Sequence, residues 1–164
     1  IDYTAATRIE LAVLGPLLKT AERALGRQMI GSTQVPIGDI AVDEAWGETC
    51  VRFLAALKAH PSKASGGYYY RTHLDYFDKM HRSMQRLALS LKSGGRAVLV
   101  VQDSYYKDIH NDLPKIITEI GAGHGLTLTQ SKSFHLRSMS DVNPGRKTYV
   151  RPSGATESVL CLTK

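Results

Sequence analysis

Ala97-Val98-Leu99-Val100-Val101 runs for five residues without a polar side chain, and Gln102-Asp103-Ser104 follows at once. An acid and a hydroxyl delivered together to the end of a strand can position a polar ligand by hydrogen bonding. The same residue types also form turns by bonding their own backbone, and both roles fit Asp103 and Ser104. Three consecutive tyrosines, Tyr68, Tyr69 and Tyr70, offer ring faces. Tyr70 falls on the apolar stripe of a helix and belongs to the core. Tyr68 and Tyr69 suit either the core or an exposed aromatic face. Arg137, Arg146, Lys147 and Arg151 stand against the single acid Asp141 in the segment 137–156. A solvated basic loop would look this way, and so would a set of phosphate contacts. The segment is longer than structureless connections usually are. The six histidines (His60, His73, His81, His110, His124 and His135) show no metal-ligand spacing. No Ser-His-Asp or Cys-His relay can be argued from the sequence.

Something must hold these residues in place, and periodicity predicts the elements. Leu14, Leu17, Leu18, Ala21 and Leu25 follow helical spacing, with Pro16 suited to a first turn because its missing N–H costs nothing there. A second helix is expected from an N-cap at Asp43, carrying Trp46, Cys50, Phe53, Leu54 and Leu57 on one face. The segment 60–67, "HPSKASGG", reads as a flexible joint. A third helix carries Tyr70, Leu74, Phe77, Met84, Leu87, Ala88 and Leu91 at three- and four-residue steps, and Gly94-Gly95 ends it. The strand 97–101 is apolar on both faces, as in a central strand covered by helices on both sides. A fourth helix brings Leu113, Ile116, Ile117 and Ile120 inward. The glycines of 121–125, "GAGHG", end that helix. They do not form a dinucleotide loop, which needs the order strand, glycines, helix. The stretch "LTLTQSKSFHL" alternates as a half-buried strand, and "ESVLCLTK" supplies the last strand.

The whole is an α/β chain of 164 residues, long enough for one domain with a real core. No stretch approaches the ~20 apolar residues of a bilayer span. Cys50 and Cys161, far apart, suit buried thiols of a reducing compartment, so a cytoplasmic location is expected. A net charge of +6 makes polyanions plausible partners. Three strands under so much helix leave sheet edges open, as in half of a doubly wound fold. The opening Ile1-Asp2-Tyr3-Thr4 reads like the middle of a longer chain.

The long helix ending in "LKSGG", followed by "RAVLVV", resembles a passage of S-adenosylmethionine-dependent methyltransferases. The stretch "GGYYYRTHLDYFDKMHRSMQRLALSLKSGG" resembles the corresponding helix of DNA amino-methyltransferases, which methylate the exocyclic amine of cytosine or adenine. "VNPGRKTY" with "ATESVLCLTK" is similar to their closing hairpin. "IDYTAATRIELAVLG" is similar to the segment just after their catalytic tetrapeptide, Ser/Asp/Asn-Pro-Pro-Tyr. By that likeness the tetrapeptide would lie immediately before Ile1.

The resemblance implies a partial doubly wound, Rossmann-like methyltransferase sheet: its last three strands, the final one antiparallel and inserted between the two before it. It places Asp2 and Tyr3 beside the active site, and Tyr68, Tyr69, Asp103 and Ser104 around the target base. Arg137, Arg146, Lys147 and Arg151 would face double-stranded DNA. Neither the tetrapeptide nor the glycine-rich cofactor motif occurs in these residues. The resemblance therefore implies no catalytic residue and weak or no S-adenosylmethionine binding within this chain, and a missing N-terminal half, or a second copy, against the open sheet edge. The other readings are a non-catalytic nucleic-acid-binding domain derived from such a half, and a methyltransferase acting on RNA or a small molecule.

Overall fold

A computed structural model of the chain describes residues 7–18, 26–32, 35, 40–135 and 156–164. The elements are α1 (Arg8–Leu18), a 3₁₀ turn (Glu44–Trp46), α2 (Glu48–Ala59), a π-helical turn (Ser65–Tyr69) and α3 (Tyr70–Ser90). Then follow β1 (Arg96–Gln102), β2 (Ser104–Tyr106), β3 (Ile109–Asn111), α4 (Leu113–Gly123), β4 (Thr127–His135) and β5 (Thr156–Thr163). Helices pack on an antiparallel three-stranded sheet in the order β1-β5-β4, and β2 and β3 make a separate hairpin. Because β5 is antiparallel to both neighbours, β1 and β4 run in the same direction with β5 reversed between them. No helix among the described residues is long and apolar enough to cross a membrane.

The core forms where the apolar stripes of α2, α3 and α4 meet one face of this sheet. Trp46, Cys50, Phe53, Leu54 and Leu57 are buried as their spacing requires, against Leu74, Phe77 and Met84 of α3 and Ile116, Ile117 and Ile120 of α4. Leu160 and Leu162 of β5 close it from below. Asp43 does cap a helical segment, its carboxylate accepting the Ala45 N–H at 2.9 Å, but that segment is only the 3₁₀ turn. Gly47, at φ 91°, breaks the chain before α2 begins at Glu48. A Cβ there would collide with Glu119 of α4. That carboxylate accepts the Thr49 N–H at 2.9 Å and the Thr49 hydroxyl at 2.6 Å, placing negative charge at the amino end of α2. In α3 a charged pair is buried with the apolar stripe: Lys79 Nζ meets Asp75 at 2.7 Å and donates to the carbonyls of Arg27 and Met29.

Several expectations are corrected. The first helix lies at Arg8–Leu18, so Pro16 sits in its last turn, and Ile9, Val13, Leu14 and Leu17 on it are exposed. Residues 19–25 lie outside the described residues. The stretch 60–67 is no loose joint. Ser65 is buried and its hydroxyl donates to the carbonyls of His60 and Ser62, both at 2.6 Å, so the turn is internally bonded.

β1 is covered on one face only. Val98 and Val100 are 61% and 60% exposed, whereas Ala97 faces the core. Nothing among the described residues packs over that second face. β4 is exposed along its whole length rather than half-buried. The β2–β3 hairpin has no counterpart in the sequence reading: its turn at Lys107-Asp108 has neither glycine nor asparagine to announce it.

Candidate functional site

The carboxyl end of β1 runs directly into the hairpin, and the two together set the polar side chains. Asp103 lies between β1 and β2 and is 8% exposed. Its N–H donates to the Thr156 carbonyl at 3.0 Å, and its Oδ1 accepts the Thr156 N–H at 2.7 Å, locking the start of β5 to the end of β1. The remaining oxygen, Oδ2, meets His110 Nε2 at 2.9 Å. With Nε2–H donating to that carboxylate, Nδ1 of His110 is left as an acceptor, and the ring stacks on Tyr105 at 4.7 Å. An imidazole fixed this way can take a hydrogen bond or a proton at Nδ1. Asp103 is thus largely a structural acid, and His110 is the exposed functional group it orients. Nothing in the sequence distinguishes His110, since the hairpin that brings it back to Asp103 has no turn signal.

On the other face of the hairpin Asn111 Nδ2 donates to Ser104 Oγ at 3.0 Å. Asn111 is 5% exposed and its Oδ1 has no partner among the described residues. Flipping the amide would only exchange which end stays unpaired.

The hairpin tip packs on the turn that leads into α3. His60 Nδ1 accepts from the Ser62 N–H at 3.2 Å and meets Ser62 Oγ at 3.0 Å, while Nε2 faces Asp108 Oδ1 at 3.0 Å. Tyr106 OH meets Ser62 Oγ at 3.0 Å. A Ser-His-Asp arrangement that sequence reasoning could not argue is therefore present. Ser62 and His60 lie two residues apart in one turn, and Asp108 is exposed, so its charge is screened by water. Its own backbone N–H and the His60 contact hold the Asp108 carboxyl below the usual carboxylate range. These bonds fasten the tip to the turn rather than aim a nucleophile.

Beside this junction Tyr69 packs on Tyr106 with ring centroids 4.8 Å apart, and Tyr68 meets Tyr69 edge-on at 5.3 Å. Tyr68 and Tyr69 stay 47% and 40% exposed, and Tyr70 turns inward under Lys58. The fold thus gathers Tyr68 and Tyr69 with the hairpin that begins at Asp103 and Ser104. Ile1, before which the catalytic tetrapeptide is expected, lies outside the described residues, and so do its neighbours Asp2 and Tyr3. The same holds for Arg137, Arg146, Lys147 and Arg151 of the basic segment. No group of three or more metal-ligating side chains occurs among the described residues.

The S-adenosylmethionine that the resemblance implies finds no glycine-rich cofactor loop among the described residues. The described glycines with positive φ lie at turns: Gly31 sits in the turn closed by the Ser32 N–H on the Met29 carbonyl, Gly47 opens α2 against Glu119, Gly94 bonds the Lys164 carbonyl, and Gly125 ends α4. None of these follows a strand and opens a helix, as a cofactor loop must.

No family model, no curated protein and no solved structure matches the chain.

Proposed function

We propose that this chain is the C-terminal part of a DNA amino-methyltransferase. The parent protein would transfer a methyl group from S-adenosylmethionine to the exocyclic amine of cytosine or adenine. The observation that carries the proposal is the strand order β1-β5-β4 with β5 antiparallel between two like-directed strands. An antiparallel strand inserted just there is what the resembling family's doubly wound sheet requires at its end, and the free edge of β1 is where that sheet would continue.

The polar end of β1 supports the same reading, because ligands of open α/β sheets bind outside the carboxyl ends of the strands. There this chain's own residues would shape the floor beside the base: Asp103 orients His110, and Ser104 bonds Asn111. Donor binding and the catalytic tetrapeptide, expected just before Ile1, belong to the other part of the parent fold, so this chain alone would be inactive. Arg137, Arg146, Lys147 and Arg151 would hold duplex phosphates, without specifying sequence.

The test is transfer of a radiolabelled methyl group into duplex DNA by the full-length protein, followed by nucleoside analysis. Label in N4-methylcytosine or N6-methyladenine is expected, and label confined to RNA or absent would refute the proposal. Replacing Arg146 and Lys147 by Ala should also flatten the log–log salt dependence of duplex binding by roughly 1.8, at about 0.9 per phosphate contact.

A further inference from the structure

Away from the hairpin, two half-buried histidines meet face to face. His81, midway along α3, and His124, the residue after α4, stack with ring centroids 4.7 Å apart and 26° between their planes. A histidine at a helix carboxyl end is ordinarily helped by the dipole when it takes a proton. Here the surroundings oppose that proton. His124 Nε2 is buried and has no partner among the described residues. A neutral ring can keep its hydrogen on Nδ1 and leave Nε2 bare. An imidazolium donates from both nitrogens, so its Nε2–H would meet no acceptor, and an unmet buried donor is costly.

Burial, and after it charge on His81, hold the His124 pKa below the ordinary 6.5. The charged groups on the elements packed around α4 are engaged elsewhere. On α3 Asp75 holds Lys79 and Asp78 holds Arg82, and on α2 Glu48 meets Arg52. Glu119 of α4 itself faces Thr49, and Lys164, which follows β5, donates to the Ala88 and Leu91 carbonyls. His81 is therefore the titratable group that faces His124. The turn they hold is bonded by its backbone alone. The N–H groups of His124 and Leu126 donate to the Gly121 carbonyl at 3.0 and 2.9 Å, and the Gly125 N–H to the Ala122 carbonyl at 3.0 Å. A Cβ on Gly121 would come within 3.4 Å of Met84 and 3.5 Å of Leu162, so α3, α4 and β5 converge here.

We propose that the His81–His124 stack is an acid-sensitive joint: a proton on His124 parts the rings and frees the turn at 124–126 from α3, while the helices and the sheet stay folded. This joint does not depend on the DNA reading. A lowered histidine pKa means that the open turn binds the proton more readily than the closed one. Closure is therefore complete above about pH 6.5 and is lost as pH falls from there through the closed-state value. About one pH unit below 6.5, a proton taken up only by the open form makes that form about tenfold more populated.

The experiment measures amide hydrogen exchange in the full-length protein at about pH 7.5 and about pH 5.5, corrected for intrinsic rates. Protection at His124, Gly125 and Leu126 should fall about tenfold, and protection at Ile116, Ile117 and Ile120 within α4 should fall less. His124→Phe keeps a ring in the stack and removes the proton, so its turn should show no such fall. His81→Phe removes only the opposing charge, so its fall should be smaller than in the wild type. A fall in His124→Phe equal to that in the wild type would overturn the proposal. So would a wild-type fall shared equally by the three isoleucines, because the whole fold rather than the turn would then be opening. A second measurement needs no substitution: the His124 imidazole resonance, followed by NMR, should titrate below 6.5. Titration at the ordinary 6.5 with the turn still protected would overturn the proposal as well.

Discussion

The two faces of the sheet are made of similar residues and have opposite surroundings. On one face Ala97, Leu160 and Leu162 lie under the helices, with Leu160 1% exposed. On the other, Val98 and Val100 stand with Val159 and Cys161, their register partners on β5, and nothing described covers the two valines. The edge of β1 adds to the contrast. Asp103 is hydrogen-bonded to Thr156, and antiparallel pairs alternate, so Leu99 and Val101 bond β5 while the N–H and C=O groups of Val98 and Val100 point to the free side. The same two valines thus present both open side chains and open backbone. An uncharged apolar strand left this way is a site of association, and it suits a strand that belongs inside a larger sheet.

The largest test of the contrast is truncation on each face. Leu160→Ala should cost about 2–5 kcal/mol in urea unfolding, the range for emptying a packed site. Val98→Thr in the 164-residue chain should stay within about 0.5 kcal/mol, yet destabilise the full-length protein measurably more. Equal effects on Val98 in both proteins would mean that the face is never covered.

The covered side should also resist charge. His73 lies between Phe53 and Phe77, and burial lowers its pKa below the ordinary 6.5, partly offset by its bond to the Tyr69 carbonyl. A lowered histidine pKa means that the unfolded chain binds more protons. This contribution is complete above about pH 6.5 and is lost as pH falls from there through the folded value. The melting temperature should drop through that window, and less steeply in His73→Gln, which keeps a donor for the carbonyl. An identical pH profile in the variant would remove His73 from the account.

The smallest effect compares the two cysteines. Burial and the nearby Glu119 push the Cys50 thiol up to about 12, so it should resist alkylation in the folded protein. Cys161, on the open face, should be alkylated in the 164-residue chain and protected in the full-length protein. Prompt reaction of Cys50 would contradict the packing described for the core.

Much of the covered side is legible in the sequence, because helical spacing needs only local information. The stripe of α3 and the inward faces of α2 and α4 follow directly from it, as does the helix stop at Gly125. The site is less legible. Asp103 and Ser104 can be found from the break in polarity after Val101. His110, Asn111 and the Ser62-His60-Asp108 contacts depend on a hairpin whose turn residues, Lys107 and Asp108, carry no conventional signal. Burial of the second face of β1 is an expectation from composition alone. Composition says that a strand needs cover on both faces, but not where that cover comes from.

Amide hydrogen exchange at Val98 and Val100, compared with Leu99 and Val101, tests most directly whether β1 is an interior strand of a larger methyltransferase sheet. In the 164-residue chain the two open-side amides should exchange quickly and the β5-bonded pair slowly. In the full-length protein all four should be slow, because a neighbouring strand would bond the free edge. Fast exchange at Val98 and Val100 in the full-length protein would contradict the account.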